Sequence, residues 1–429
     1  MHPPPEELEG CRSGRFSQRS AVCDDLNAGL RLDQAVDALP TIDTPRPPGA
    51  EPSSGVMRSD TDVAEAWSND RRRSSRSGLL TAALVFLAAT MMVGLVGLSA
   101  YEDLLAWDVR FAYLPAAEAV LDGNSPYPEL DDPILEEQKG YVYPPQLLVA
   151  LLPLTPLPVD AVAVLVALGM LVLVGLTLWV LGVRDARCYA AAMLWVPTIS
   201  GVLLSNVSIP LALALALVWR YRNEVLPSAA ALGLSVSSKL LLWPMFVWML
   251  ATRRLRTVVT AVLIGLVVTL GAWATIRFDG LAGYPDLLRR LSEIQSERSY
   301  SIVGMASTIG LGDAVGRALT LVVGSSFLVG CVVFARRDDE VRSYTCAIAA
   351  TLALSPIVWL HYLVVLLVPL AIARQRFSLI WLLPVLLWIS PKPGYAEGFE
   401  TFVPGIAAAI LLTVLLARPR AERVVEVPA

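Results

Sequence analysis

Apolar runs of membrane-spanning length recur from residue 78 nearly to the C-terminus, and one long polar stretch, residues 101–145, interrupts them early. The first run, 78–100, carries no charge and is long enough for one crossing. After the polar stretch comes a short run, 146–158, broken by Pro153, Pro156 and Pro158. Proline removes a helical hydrogen bond, so this run reads as a re-entrant or interfacial half-helix. The remaining pattern predicts spans at roughly 159–182, 187–204, 207–220, 225–238, 240–252, 257–276, 312–334, 341–356, 359–373, 377–390 and 400–417. The expectation is an all-α polytopic membrane protein with about 12 transmembrane helices.

The connections between these runs differ in charge. The turns at 183–187, 219–224, 252–256, 335–342, 373–376 and 418–423 are all Arg-rich, and Arg71, Arg72, Arg73 and Arg76 stand before the first run. By the positive-inside rule both termini lie in the cytoplasm of a plasma-membrane protein, and the 101–145 stretch is extracytoplasmic. Reading 146–158 as a full crossing would put Arg184 and Arg187 outside and invert every later basic turn.

Residues 1–77 are polar and rich in Pro, Ser, Arg and Asp, which predicts a disordered cytoplasmic tail with Met57 as a second candidate start. The domains expected are this tail, a membrane domain over 78–417 and a short cytoplasmic tail over 418–429. No apolar segment near Met1 resembles a secretory signal.

Composition agrees with the pattern: 55% of residues are hydrophobic, 17% are charged, and mean hydropathy is +0.59. The nearly balanced net charge of −4 argues nothing about nucleic acid, but with no basic stripe and no stacking motif a nucleic-acid partner is not expected. The five cysteines show no metal-ligand spacing and read as small apolar residues. There is no Gly-rich phosphate loop, Ser/His/Asp arrangement or metal cluster.

Besides the 101–145 stretch, three outer segments hold polar residues that solvation alone does not explain: 277–311, the Lys239 turn and the Trp359–His361–Tyr362 turn. In the 101–145 stretch, Phe111, Leu114, Ala117, Val120 and Leu121 predict a helix over 108–122 lying against the membrane. Asp108 falls in its first turn, and Gly123 and Asn124 end it. Asp108 is either an ordinary first-turn acid favoured by the helix dipole or a general base; Glu102 and Asp103 are its competitors. Lys239, the one lysine in the apolar body, lies in GLSVSSKLLLWP between two short spans. It is a snorkelling lysine or a phosphate contact. His361, in SPIVWLHY, is an interfacial histidine or a phosphate ligand and proton carrier. Tyr141 and Tyr143 belong to an aromatic belt or to the wall of a sugar cavity. In 277–311, Leu287, Leu288, Leu291 and Ile294 mark an amphipathic surface helix, and Arg289, Arg290 and Arg298 nearby are weaker phosphate candidates.

The series Asp108, Tyr113, Ala117, Gly123, Tyr127, then YVYPP with PLTPLP, then Gly233 to Lys239, then SPIVWLHY, resembles glycosyltransferase family 87. These are polyprenyl-phosphate-sugar-dependent enzymes of the GT-C superfamily, including actinobacterial mannosyltransferases and arabinofuranosyltransferases of the cell envelope. The resemblance covers about 80–415. It implies a GT-C fold with an acid of the first outer loop as catalytic base, here Asp108. It also implies that Lys239 and His361 face the donor phosphate. Tyr113, Tyr143, Asn206 and Arg298 are the further cavity candidates; Ser205-Asn206 stands where many members have Gly-Gln. The activity implied is inverting transfer of a sugar, foremost mannose and alternatively arabinofuranose, to a glycolipid or cell-envelope glycan on the extracytoplasmic face. The donor is a lipid-linked co-substrate, and neither metal nor cofactor is expected. A lipid-linked sugar flippase or transporter is the rival from another class, and an envelope scaffold a third.

Overall fold

The computed structural model describes residues 60–389 and 398–417, with side chains from residue 78 onward. The chain divides into two units, Met1–Trp67 and Ser68–Ala429. The first lies almost wholly outside the described residues, as does most of the expected tail; the apolar helices all belong to the second. Among the described residues the secondary structure is helical throughout, without a strand.

The first apolar run forms Gly78–Tyr101, the membrane-length part of α1 (Asp60–Tyr101). In the polar stretch, a single wide π turn at Val109–Tyr113 leads into α2 (Leu114–Leu121). The broken run gives a short α3 (Gln146–Leu151), followed by one 3-10 turn at Leu152–Leu154. The prolines stop α3 there, and it is too short to cross a bilayer.

Then come α4 (Val159–Val180), α5 (Ala186–Leu194), α6 (Val196–Leu204), α7 (Ser208–Arg220), α8 (Val225–Ser238), α9 (Pro244–Ala251) and α10 (Leu255–Thr275). The second outer segment folds as α11 (Tyr284–Gln295) and α12 (Ile302–Thr308). The chain ends in α13 (Gly312–Arg336), α14 (Glu340–Ala353), 3-10 turns at Leu360–Leu366, α15 (Leu367–Ala373), 3-10 turns at Leu379–Ile389 and α16 (Phe402–Leu416).

Among the described residues, five helical stretches are long and apolar enough to cross a membrane, or six if α5 and α6, bent by 67° at their junction, count as one span. Pro197 at the start of α6 lacks the N–H that would continue α5. Five of the other expected crossings coincide with shorter apolar helices, such as Ser208–Arg220, Val225–Ser238 and Leu360–Ala373, too short for a crossing by length alone, while 341–356 folds as α14 and is not among them.

Successive helices alternate between two ends. At one end the Arg-rich turns meet: Glu340 takes Arg222 at 2.9 Å and also Arg254. Gln375 donates to the Leu181 carbonyl, and Asp185 accepts from the Phe377 N–H, both at 3.0 Å. The other end holds the start of α7, the end of α8, the end of α14 and the start of the Leu360–Leu366 turns. Glycine permits close packing between: a Cβ on Gly233 of α8 would stand 2.5 Å from the Ala261 carbonyl oxygen of α10.

Two apolar faces pack differently from the expectation. Val109, Ala112, Tyr113, Leu114, Ala116 and Ala117 are buried in the protein core, while Leu121 is exposed. On α11, Leu287 is buried, and Leu288 and Leu291 line a cavity of the protein. Amphipathic spacing marks an apolar face but does not distinguish lipid from protein as its partner.

Candidate active site

The polar loop after α1 is pinned to the end of α6. The Ala106 N–H donates to the Leu203 carbonyl at 2.7 Å. Asp108 comes next as the N-cap of the π turn. In an α-helix, residues five apart point about 140° away from each other; the wider turn brings Tyr113 back over Asp108. The Tyr113 hydroxyl donates to Asp108 Oδ2 at 3.1 Å.

A second donor arrives from the junction of α6 and α7. Ser205 adopts a left-handed conformation (φ 54°) that ends α6. Asn206 is next, its Oδ1 accepting the Ser208 N–H at 3.0 Å and the Ser208 hydroxyl at 2.7 Å. Those bonds fix the amide, so Nδ2 donates to Asp108 Oδ2 at 2.6 Å and to the Tyr143 hydroxyl at 3.2 Å. Protein surrounds Asp108 on all sides but the cavity. Burial raises its pKa, while the bonds from Asn206 and Tyr113 and the charge of Lys239 pull it back.

Lys239 ends α8 in an extended conformation (φ −154°, ψ 111°) that breaks the chain before the 3-10 turn at Leu240–Leu242. Its Nζ is buried without a hydrogen-bond partner. The ammonium stands 3.4 Å from the ring centroid of Tyr362 and 5.4 Å from that of Tyr143. Burial pushes its pKa down to about 7, opposed by the Asp108 charge. His361 is 5% exposed, and its Nε2 is likewise buried and unpartnered.

Three phenols hold the YVYPP segment by its carbonyls. Tyr284 donates to Val142 at 3.0 Å, Tyr127 to Tyr143 at 3.1 Å, and Tyr141 to Pro144 at 2.6 Å. This clamp presents the Tyr143 ring edge-on to Tyr113, with ring centroids 5.6 Å apart.

Asp108, Tyr113, Tyr143, Asn206, Lys239 and His361 all line one cavity of about 720 Å³. Glu102, Asp103 and Arg298 are exposed and are not among its lining residues. Tyr362 is a wall residue that the sequence pattern does not single out. Its one signal is adjacency to His361, and the ammonium over its ring depends on residues far apart in the chain.

The arrangement places a carboxylate of raised pKa, a lysine without a hydrogen-bond partner and a neighbouring imidazole around one cavity. Among the described residues, no cluster of histidine, cysteine and carboxylate side chains could hold a metal ion.

A family model described as Glycosyltransferase family 87 matches residues 141–360. This segment carries Tyr143, Asn206 and Lys239; Asp108 precedes it, and His361 is the next residue after it. No curated protein matches the chain. No solved structure matches it either. The family match spans half of the chain, over helices apolar enough for a bilayer and a cavity lined by acid, lysine and histidine, and on that basis the chain belongs to glycosyltransferase family 87.

Proposed function

We propose that the protein transfers a sugar, foremost mannose, from a polyprenyl-phosphate donor to a hydroxyl of a glycolipid or cell-envelope glycan, with inversion at the anomeric carbon. The observation that carries this reading is the convergence of Asp108, Lys239 and His361 on one cavity, with the Lys239 ammonium bonded to no anion.

Asp108 takes the proton of the acceptor hydroxyl as its oxygen attacks the anomeric carbon. The bond from that carbon to the phosphate oxygen breaks, and its electron pair leaves with the phosphate. Asn206 and Tyr113 both bond Oδ2, so Oδ1 is the oxygen available to the acceptor. A carboxylate whose pKa is raised is a stronger base near neutral pH. Lys239 and His361 meet the developing negative charge on the leaving phosphate. The reading uses a lipid-linked co-substrate and calls on no metal or cofactor. Arabinofuranose is the alternative sugar.

The cavity lies at the end of the bundle opposite the Arg-rich turns, which supports an extracytoplasmic site with both termini in the cytoplasm. The rival reading is a lipid-linked sugar flippase. Purified protein in detergent, with no sealed compartment, separates the two. Transfer of radiolabelled sugar from polyprenyl-phosphate-mannose or polyprenyl-phosphate-arabinose to an extracted acceptor is the expected result. Movement of the donor across vesicles without any transfer would overturn the proposal.

A further inference from the structure

Lys239 is a buried cation with no anion bonded to it. Its Nζ has no hydrogen-bond partner and instead sits over two aromatic rings, 3.4 Å from the Tyr362 centroid and 5.4 Å from that of Tyr143. The carboxylate whose charge acts on it, Asp108, has its Oδ2 held by Asn206 and Tyr113. Base and cation therefore share one cavity without pairing.

We propose that the Tyr362 ring, with Tyr143 beside it, is the seat of the Lys239 ammonium: it keeps the cation free for an anionic lipid phosphate and off the Asp108 carboxylate. The inference rests on the reading of Lys239 as the donor-phosphate contact. A direct ammonium–carboxylate pair in a poorly solvated cavity would be a deep well, leaving Asp108 a weaker base and Lys239 engaged before the donor arrives. An aromatic face attracts a cation through its quadrupole, more weakly than a carboxylate does, so a phosphate can take the ammonium over. Tyr362 and Tyr143 are thus positioning residues acting through Lys239.

The groups facing Lys239 are few. Asp108 comes from the first loop, Tyr143 from the segment before α3, and His361 and Tyr362 from the turns at Leu360–Leu366; Tyr113, Glu137 and Tyr284 also line the cavity. Of these, Asp108 is the nearby anion and the Tyr362 ring the closest support.

The test uses polyprenyl monophosphate, the leaving group shared by every donor of the class. Its Kd is measured on the full-length protein in detergent for wild type, Lys239→Met, Tyr362→Leu and Tyr362→Phe, and then for a series with mono-, di- and trifluorinated phenylalanine at position 362. Tyr362→Leu should weaken binding about tenfold or more, because without the ring the ammonium settles on the Asp108 carboxylate, and the phosphate must then break that charged contact. Tyr362→Phe should restore most of it, and each added fluorine should weaken it again in graded steps. The weakening of Kd as pH rises should begin at lower pH in Tyr362→Leu, because the ring favours the charged lysine.

The fluorinated series keeps the side-chain shape, so it decides the matter even where Tyr362→Leu does not fold. A flat response across the fluorines overturns the seat. An unchanged Kd in Lys239→Met overturns the phosphate reading itself. A weakened Lys239→Met beside a flat position-362 series overturns the seat alone.

Discussion

Asn206→Ala is the sharpest probe of how the base is tuned. The substitution removes the shorter of the two bonds to Asp108 Oδ2, 2.6 Å against 3.1 Å from Tyr113. Both bonds favour the carboxylate form and oppose the burial that raises its pKa. A hydrogen bond to a charged group is worth about 1.5–3 kcal/mol, and one pKa unit is about 1.4 kcal/mol. Loss of the Asn206 bond should therefore raise the Asp108 pKa by roughly one to two units. Transfer needs the deprotonated acid, so the rising limb of kcat/KM moves to higher pH by that amount. Below the limb the variant loses about ten- to a hundredfold, and the gap closes as pH rises onto the plateau. The assay is sugar transfer by purified protein in detergent from about pH 5 to 9, with a melting curve for each variant. A pH-independent loss, or a limb shifted to lower pH, would refute the tuning argument.

The same geometry has other consequences. Lys239→Met should raise the melting temperature of the donor-free protein, because a buried ammonium is no longer held from water. The lysine's folded pKa is depressed to about 7 from an ordinary 10.5, so its cost is fully present below about pH 7. Between those values the unfolded chain binds the extra proton, so wild-type stability climbs toward the variant's as pH rises; parallel melting temperatures from pH 7 to 10 would contradict this. Gly233→Ala would drive a Cβ against the Ala261 carbonyl of α10, part α8 from α10 and displace Lys239 at the end of α8. A loss of about 1–3 kcal/mol is expected, while Gly271→Ala, with open space around it, should melt within about a degree of wild type. Arg298→Ala should leave transfer within about twofold, because Arg298 is exposed and lies outside the cavity wall; a large loss of donor affinity would return Arg298 to the site.

The helices of the apolar runs after residue 159 fall close to where those runs and the Arg-rich turns put them, because hydropathy acts locally; the break of 187–204 into α5 and α6, and the short α12, are not read from that pattern. Asp108, Lys239 and His361 are legible for a similar reason: a charge or imidazole beside an apolar run is costly and stands out. Asn206 is visible in the sequence only as a candidate sugar contact. Its attachment to Asp108 depends on a left-handed Ser205 and a bond partner 98 residues away. The π turn that brings Tyr113 to Asp108 breaks the 3.6-residue period, so a helical reading of 108–122 does not show it. Tyr362 is hidden because its partner, Lys239, arrives from the break between α8 and α9. Arg298 draws notice by its charge, but a solvated face explains charges of that kind.

Asp108→Asn bears most directly on the central claim, since it keeps the shape of the side chain and removes the base. Wild type and variant, matched for melting behaviour, would be given saturating polyprenyl-phosphate sugar and acceptor in detergent, and the sugar transferred in a single turnover measured. The account predicts an inverted product from wild type and a loss of at least about a hundredfold in the variant, with polyprenyl monophosphate still bound. Transfer at near wild-type rate by Asp108→Asn would contradict it.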